Sequence, residues 1–587
     1  MSAPSAGSMP GLAACDSGDL AREVHDLARR VAAIEQRLAP NGAQTAAIPA
    51  TPATAAPSAA PQLRVTANVF PLIGKALLGI AGAYVLRALT ELGVLSPAAG
   101  VTAGLIYALA CLWVAARLTV SGTVASTVAA LTSVAIMAPL LWEAVTRLNA
   151  ISAWAASAVL AGFTLIGFAL SWSRRLTVVP AIASAGAALV AMALLLATHD
   201  LLPFALALLV IAAAEEFEAC RGRQMGSRWA AALLADLAVL LLSWVLTRPE
   251  GLPEGYVAAP AAAAIAAQIS LIAIYGVSAA IRTLVQLRTF SGMETAQTGA
   301  ALAIGIGGIA RMGAGHSTGM LLLGLSALAA GVGSYVVSFV IAAPRSNWNF
   351  RAWATFGLFL VLYGTWLPFA GAALWILWCA CAAACCWTAR IARKPTLGLH
   401  GALCLLLATT VSGAAAEASS QLFGAAGARF QWLVAAVVLA SALLSWIAID
   451  GSPAGETAHW RRQFSFFAVS AVISFLIAGV AVRSLAGILK AWHEAYRVPA
   501  DTLATVVLTV ICVALAGAAV RSGRRELAWV VYAGMIMTAW KLASCDFPRE
   551  HNLTLVVSLL FYGCALMVIP PILQRRRAAS STATAAG

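Results

Sequence analysis

The run Ala352–Ala389, AWATFGLFLVLYGTWLPFAGAALWILWCACAAACCWTA, contains no charged residue. As one α-helix it would extend ~57 Å at about 1.5 Å per residue, nearly twice a hydrocarbon core of about 30 Å. A fold-back is therefore expected at Pro368, which lacks an N–H and cannot continue a helix interior. The run reads as two membrane-crossing helices in a hairpin.

The rest of the chain repeats this pattern. Hydrophobic residues make up 61% of the 587 positions and charged residues 10%, with a mean hydropathy of +0.88. Soluble domains carry about 25% charged residues, so an ordinary globular fold is excluded. From Phe70 onward, apolar stretches of about 20 residues follow one another. The expected fold class is all-α: a polytopic integral membrane protein of about 18 transmembrane helices. The first lies at about 70–90 and the last at about 553–573. Others fall at about 229–247, 397–416 and 463–482, and a short Gly-rich one at about 296–311.

The net charge of +14 does not point to nucleic acid, and no such partner is expected. The basic residues gather in short loops, as in Arg174–Arg175, Arg221–Arg228, Arg390–Lys394, Arg521–Arg525 and Arg575–Arg577. With alternate loops facing the cytoplasm, these share one side. The positive-inside bias then puts both termini in the cytoplasm.

The N-terminal part differs. Leu20, Val24, Leu27, Val31, Ile34 and Leu38 alternate spacings of four and three, a short a/d seam capped by Asp19. Residues 19–39 are thus expected to form a coiled-coil or amphipathic helix that self-associates or docks a partner. Residues 1–18 before it are expected to be disordered. Residues 40–66 form a Pro/Ala-rich linker, 67–574 the transmembrane body, and 575–587 a basic, disordered tail. No signal peptide is visible in the first 60 residues.

The stretch Gly74–Leu118, with Gly74, Leu78, Gly82, Arg87, Gly93, Pro97 and Gly104, resembles the opening of an uncharacterised bacterial family of multi-spanning membrane proteins. That family is a domain of unknown function in which a short coiled coil and a Pro/Ala-rich linker precede many helices. The resemblance implies a bacterial cytoplasmic (inner) membrane and no particular activity. An aromatic pair common in the family's first helix is represented here by Tyr84 alone.

Asp236 stands in AALLADLAVLLLSW (Ala231–Trp244). A carboxylate at the centre of a spanning helix costs about 2.5–3.5 kcal/mol on insertion scales and normally faces water or a partner. One reading makes it a proton, cation or substrate site. The other gives it a structural hydrogen bond or ion pair, with a neighbouring helix or with Arg221 or Arg223 of the preceding turn, where Glu215, Glu216 and Glu218 also stand. Lys75 can snorkel from the first span, and Glu143 can pair with Arg147 four residues on. In RSLAGILKAWHEAYRVPAD (Arg483–Asp501), Leu485, Leu489, Trp492 and Tyr496 share a face. Arg483, Lys490 and Arg497 lie opposite, with His493 nearby. This reads as an amphipathic helix on the outer surface, either an anchor or a cationic rim for anionic headgroups.

Cys379, Cys381, Cys385 and Cys386 of the span at about 369–389 fan around its axis and read as packing; no metal and no cofactor are expected. Gly305, Gly307, Gly308, Gly313, Gly315 and Gly319 read as points of close helix approach or as a broken helix at a cavity. P-loop, H-E-x-x-H, C-x-x-C-H and G-x-S-x-G motifs are absent, and no inserted soluble domain is visible. The leading expectation is a non-enzymatic, transporter-like body. The alternatives are an envelope assembly protein acting through its coiled coil, and an intramembrane lipid- or glycan-modifying enzyme using His493 and Glu494.

Overall fold

The computed structural model describes residues 29, 62–118, 123–172, 177–313, 317–424, 430–450, 459–492, 500–547 and 552–585. Apart from Arg29, the seam at 19–39 lies outside the described residues, as do His493, Glu494 and Arg497. The chain divides into two units, Met1–Asn68 and Val69–Gly587. All packing described here belongs to the second.

The described residues are helical, with no strand among them. In chain order the first helices are α1 (Gln62–Glu91), α2 (Pro97–Arg117), α3 (Thr123–Thr146), α4 (Ala153–Trp172) and α5 (Val178–Thr198). There follow α6 (Leu201–Cys220), α7 (Arg228–Leu246), α8 (Ala261–Ala280), α9 (Gly292–Gly313) and α10 (Ser317–Val337). The remainder are α11 (Asn347–Trp366), α12 (Ala372–Ala392), α13 (Pro395–Val411), α14 (Ala414–Phe423), α15 (Trp432–Asp450), α16 (His459–Trp492), α17 (Ala500–Ser522), α18 (Arg525–Lys541) and α19 (Asn552–Ala585). Among the described residues, three helices widen into a π-turn at their C-terminal ends, at Ile281–Val285, Ser338–Ala342 and Leu542–Asp546.

Thirteen of the described helices are long and apolar enough to cross a membrane, or fourteen if α13 and α14 form one bent span. The chain is therefore a polytopic membrane protein. Helix α6 is not among the thirteen, because Glu215, Glu216 and Glu218 crowd its last turns. The fold-back at Pro368 is present: α11 ends at Trp366, and α12 starts after Gly371, whose φ of +60° favours glycine.

Four boundaries differ from expectation. Helix α16 runs unbroken from His459 to Trp492, so residues 483–492 extend a spanning helix and do not start a separate surface helix. No proline interrupts that stretch. The expected span at 397–416 breaks by 67° at Ser412–Gly413, where Gly413 adopts φ +81°. Helix α1 starts at Gln62, inside the expected linker, and α19 continues through the basic tail to Ala585. Alanine and arginine, which fill much of that tail, are good helix formers.

Two large apolar cores form. One gathers side chains from α2 to α9, around Leu112, Phe204, Leu208 and Leu242. The other gathers α11 to α19, around Trp375, Ala382, Val438 and Val531. The hairpin α10–α11 lies between them in sequence and is closed by glycines. A Cβ on Gly364 would sit 2.6 Å from the Leu328 nitrogen and 2.8 Å from the Gly324 oxygen. Gly331 and Gly357 meet in the same way one heptad along, so the backbones touch, as small residues allow in membranes.

Candidate functional site

The turns α6–α7, α8–α9 and α10–α11 meet at one end of the bundle. Gln286 donates to the Cys220 carbonyl, and Asn349 bonds to the backbone of Arg288 and Phe290. Beneath these turns lies a buried ionic cluster. Arg228, at the start of α7, donates from Nε and Nη2 to both oxygens of Glu216 on α6, at 2.6 and 3.0 Å. Its Nη1 donates to Glu294 Oε1 on α9 at 2.9 Å. Arg282, in the π-turn that ends α8, also donates to that oxygen. Ser278 donates to Glu216 Oε2 at 2.5 Å.

Glu294 does double duty. Its Oε2 accepts from the Ser291 N–H at 3.0 Å while the Ser291 hydroxyl accepts from the Glu294 N–H. This capping box fixes the start of α9. Beside the cluster, Glu215 Oε1 accepts from Ser184 and Ser227 at 2.5 Å each, while its Oε2 is buried without a partner. Glu215, Glu216, Glu294, Arg228 and Arg282 are each at most 6% exposed. Two buried carboxyls thus share two guanidiniums, and a third, Glu215, lies beside them with serine partners only.

A line of polar groups leads inward from this cluster. On α8, Gln268, Tyr275 and Arg282 repeat every seven residues, so they share one helix face. The rise from Arg282 to Gln268 is ~21 Å at about 1.5 Å per residue. Asp236, two turns into α7, accepts from Gln297 Nε2 on α9 at 2.7 Å, and its Oδ1 is buried without a partner. The Tyr275 hydroxyl faces the Gln297 side chain, with Glu216 and Asp236 nearby, and has no partner at full hydrogen-bond geometry. Gln268 donates to the Val239 carbonyl at 3.3 Å, and its Oε1 is unpartnered. Gly308 of α9 makes room for that amide, since a Cβ there would lie 2.5–2.7 Å from it. Gly305 lies equally close to Ile272 and to the Gln268 carbonyl. These two glycines serve close approach, and α9 is continuous through Gly313.

The expected residues divide accordingly. Glu216 is in the cluster, Glu215 is beside it, and Asp236 lies further in. Neither arginine proposed as its partner reaches Asp236: Arg221 stacks on Trp172, and Arg223 pairs with Glu218 at 3.4 Å. Glu143 pairs with Arg87 on α1 at 2.8 Å, and not with Arg147. Lys75 is exposed on α1, remote in sequence from the cluster, and Arg483 is exposed on α16. The side chain of Lys490 lies outside the described residues.

Arg228, Arg282, Glu294, Tyr275, Gln268 and Gln297 were not anticipated. Arg228 and Arg282 read in sequence as loop charges that mark the cytoplasmic side. Glu294 stands at the start of the Gly-rich span, where a charge ordinarily meets headgroups. The legible signals were the seven-residue polar repeat on α8 and the S-x-x-E box at Ser291–Glu294. Among the described residues no group of His, Cys, Asp and Glu could hold a metal ion.

Fold and site together define an all-helical polytopic membrane protein with a buried polar array in one half of its bundle. Compared with family models, curated proteins and solved structures, the chain matches none.

Proposed function

We propose that the chain is a transporter-like membrane protein in which Asp236, coupled to the Glu216–Arg228–Glu294–Arg282 cluster, carries a proton or a small cation. One observation carries the reading: buried, unpartnered polar atoms follow one another inside the membrane body, at Glu215 Oε2, Asp236 Oδ1, Tyr275 Oη and Gln268 Oε1. Buried polar groups are normally satisfied. Polar and ionisable residues inside a membrane mark ion or proton paths more often than they serve packing. The cluster pairs two carboxyls with two guanidiniums, and Glu215 beside it is held by serine hydroxyls alone, which gives it a place to hold a proton. Arg228 bridges two carboxylates, so protonating either one redistributes its hydrogen bonds.

The same proposal includes about 18 spans, both termini in the cytoplasm of a bacterial inner membrane, and membership of the uncharacterised family whose opening Gly74–Leu118 resembles. The positive-inside bias puts the α6–α7 turn on the cytoplasmic side, so Asp236 lies in the cytoplasmic half of its helix. A partner or second copy engaged through residues 19–39 belongs to this picture as the regulatory arm.

The test is proton flux. The full chain is reconstituted in liposomes containing a pH-sensitive dye, and a pH step is applied. The expected result is flux above that of empty liposomes, reduced at least tenfold in Asp236→Asn at equal incorporation. Absence of flux in the parent, or equal flux in the variant, overturns the reading.

A further inference from the structure

The C-terminal half of the bundle holds a slot of about 310 Å³ between α13, α16, α17 and α18, at the lower end of the range that holds small ligands. The break in α13 borders it. At Ser412–Gly413 the chain bends by 67°, and α14 leans onto α16, where a Cβ on Gly479 would lie 2.8 Å from the Ala418 Cα and Cβ. Thr409 and Thr410 before the bend and Ala415 after it line the slot. Its long wall follows α17 from Leu508 to Leu515, ~10 Å at about 1.5 Å per residue.

The slot has a floor and a mouth. On the floor, Val472, Leu508, Cys512 and Val530 are at most 7% exposed. At the edge, Leu406 of α13 and Ala533, in the middle of α18, are exposed. Helix α18 begins a candidate span, so a mouth at Ala533 faces hydrocarbon and not water or headgroups. The polar atoms of the lining are already bonded. The hydroxyls of Thr409, Thr410 and Ser474 donate to the Leu405, Leu407 and Ser470 carbonyls of their own helices at 2.7, 2.9 and 2.7 Å. At the break, the Thr409 carbonyl accepts from the Ser412 hydroxyl and the Thr410 carbonyl from the Gly413 N–H. Among the described residues no charged side chain lines the slot.

Vacuum, water and hydrocarbon compete for such a space. A buried water needs about two to four polar partners, and the described side chains offer no free donor except the weak Cys512 thiol. An empty slot forfeits dispersion contacts along its whole wall. Hydrocarbon stands at the mouth and suffers neither penalty. We infer that the slot holds one acyl chain of a bilayer phospholipid, which enters sideways past Leu406 and Ala533 and lies along α17. The slot selects the chain and not the headgroup, because no charge lines it. The site lies in the other half of the bundle from Asp236 and is independent of that reading.

The experiment places the full chain in phosphatidylcholine nanodiscs with a phosphatidylcholine that carries a diazirine midway along one acyl chain. Illumination makes a carbene that marks whatever the chain touches, and digestion with mass spectrometry locates the marks. The expected result is marking of Val472, Leu508 and Cys512 at least fivefold above that of Val438 and Val469, which are 0% exposed in the same half. Ala533→Phe narrows the mouth at an exposed position. It is expected to cut the floor marking at least fivefold and to leave Leu560, 62% exposed on α19, marked as before. A phosphatidylglycerol with the same diazirine chain is expected to mark the floor equally. Thermal unfolding checks that the variant is folded, and if it is not, the marking of the parent chain decides alone. Floor marking no higher than at Val438 and Val469, as when a second copy fills the slot, overturns the assignment. So does undiminished marking in folded Ala533→Phe, or marking that depends on the headgroup. A failure of proton flux leaves the marking as it was, so the two proposals fail separately.

Discussion

Among the described residues, ionic groups are buried in two places, and they are built differently. In the C-terminal half, Lys541 of α18 donates to Asp546 Oδ1 at 2.6 Å across the π-turn and to Thr505 Oγ1 of α17 at 2.9 Å. Thr505 donates to Asp546 Oδ2 at 2.7 Å. Both charged side chains are 0% exposed. One cation faces one carboxylate, and both carboxylate oxygens are occupied. In the N-terminal half, two carboxyls share two guanidiniums, a third, Glu215, is bonded to serines alone, and unpartnered atoms continue inward from them. Burial of charge is common to both sites, so burial alone does not mark function. A site that closes on itself is explained by packing. The open one calls for another explanation.

Substitution at the ion pairs tests this contrast most strongly. Arg228→Met leaves Glu216 without its counter-charge and Glu294 with only one. Breaking a buried pair costs about 3–5 kcal/mol, and this variant is expected at the upper end, read as a drop in the thermal unfolding temperature in detergent. Lys541→Met strands one carboxylate and is expected at the lower end of the same range. The paired replacements then separate the sites. Lys541→Met with Asp546→Leu is expected to recover most of the stability, because apolar groups can replace a closed pair at little net cost, and to retain proton flux. Arg228→Met with Glu216→Leu recovers part of the stability and no flux. If flux survives in both double variants, the two sites are equivalent and the contrast is lost.

A smaller effect is expected where the two halves meet. Gly364→Val would press a side chain on the backbone of Leu328 and Gly324, neither of which can rotate away. Overpacking of this kind costs about 1–3 kcal/mol. Gly307→Ala, with nothing within 4 Å of the added Cβ, is the control and should cost little beyond propensity. The hairpin bears on both halves: Asn349 of α11 bonds to the α8–α9 turn, and Tyr335 of α10 packs on the C-terminal core. Splaying it is therefore expected to broaden the thermal transition. A transition that only shifts, without broadening, means that the halves unfold as one unit.

Much of the architecture was legible because membrane helices declare themselves locally. Length and hydropathy located the apolar helices, and the fold-back at Pro368 followed from the bilayer thickness alone. Helix ends were harder. The bend at Gly413 and the continuation of α16 beyond Arg483 depend on neighbouring helices, which no local signal records. The candidate site was half visible. Asp236, Glu215 and Glu216 stood out because a carboxylate near apolar sequence is costly. Arg228, Arg282 and Glu294 did not, because they sit at helix ends, where charges ordinarily meet water and headgroups. Their burial comes from tertiary packing under the α8–α9 and α10–α11 turns. Glu143 shows the same limit: an i,i+4 partner was available in sequence, and the closer partner came from another helix.

The smallest predicted change in stability is also the most discriminating. Tyr275 is 3% exposed, and its hydroxyl has no partner at full hydrogen-bond geometry. Removing an unsatisfied buried hydroxyl should leave stability unchanged or raise it by up to about 1 kcal/mol, since an unmade hydrogen bond is a cost. Tyr275→Phe keeps the ring and its packing in the core. In a closed, structural site nothing else would follow. If the hydroxyl links the cluster to Asp236, proton flux falls severalfold in Tyr275→Phe while the unfolding temperature holds or rises. A loss of stability instead would mean that the hydroxyl is bonded in the native protein. The array between α6 and α9 would then be closed at that point, as the Lys541–Asp546 pair is.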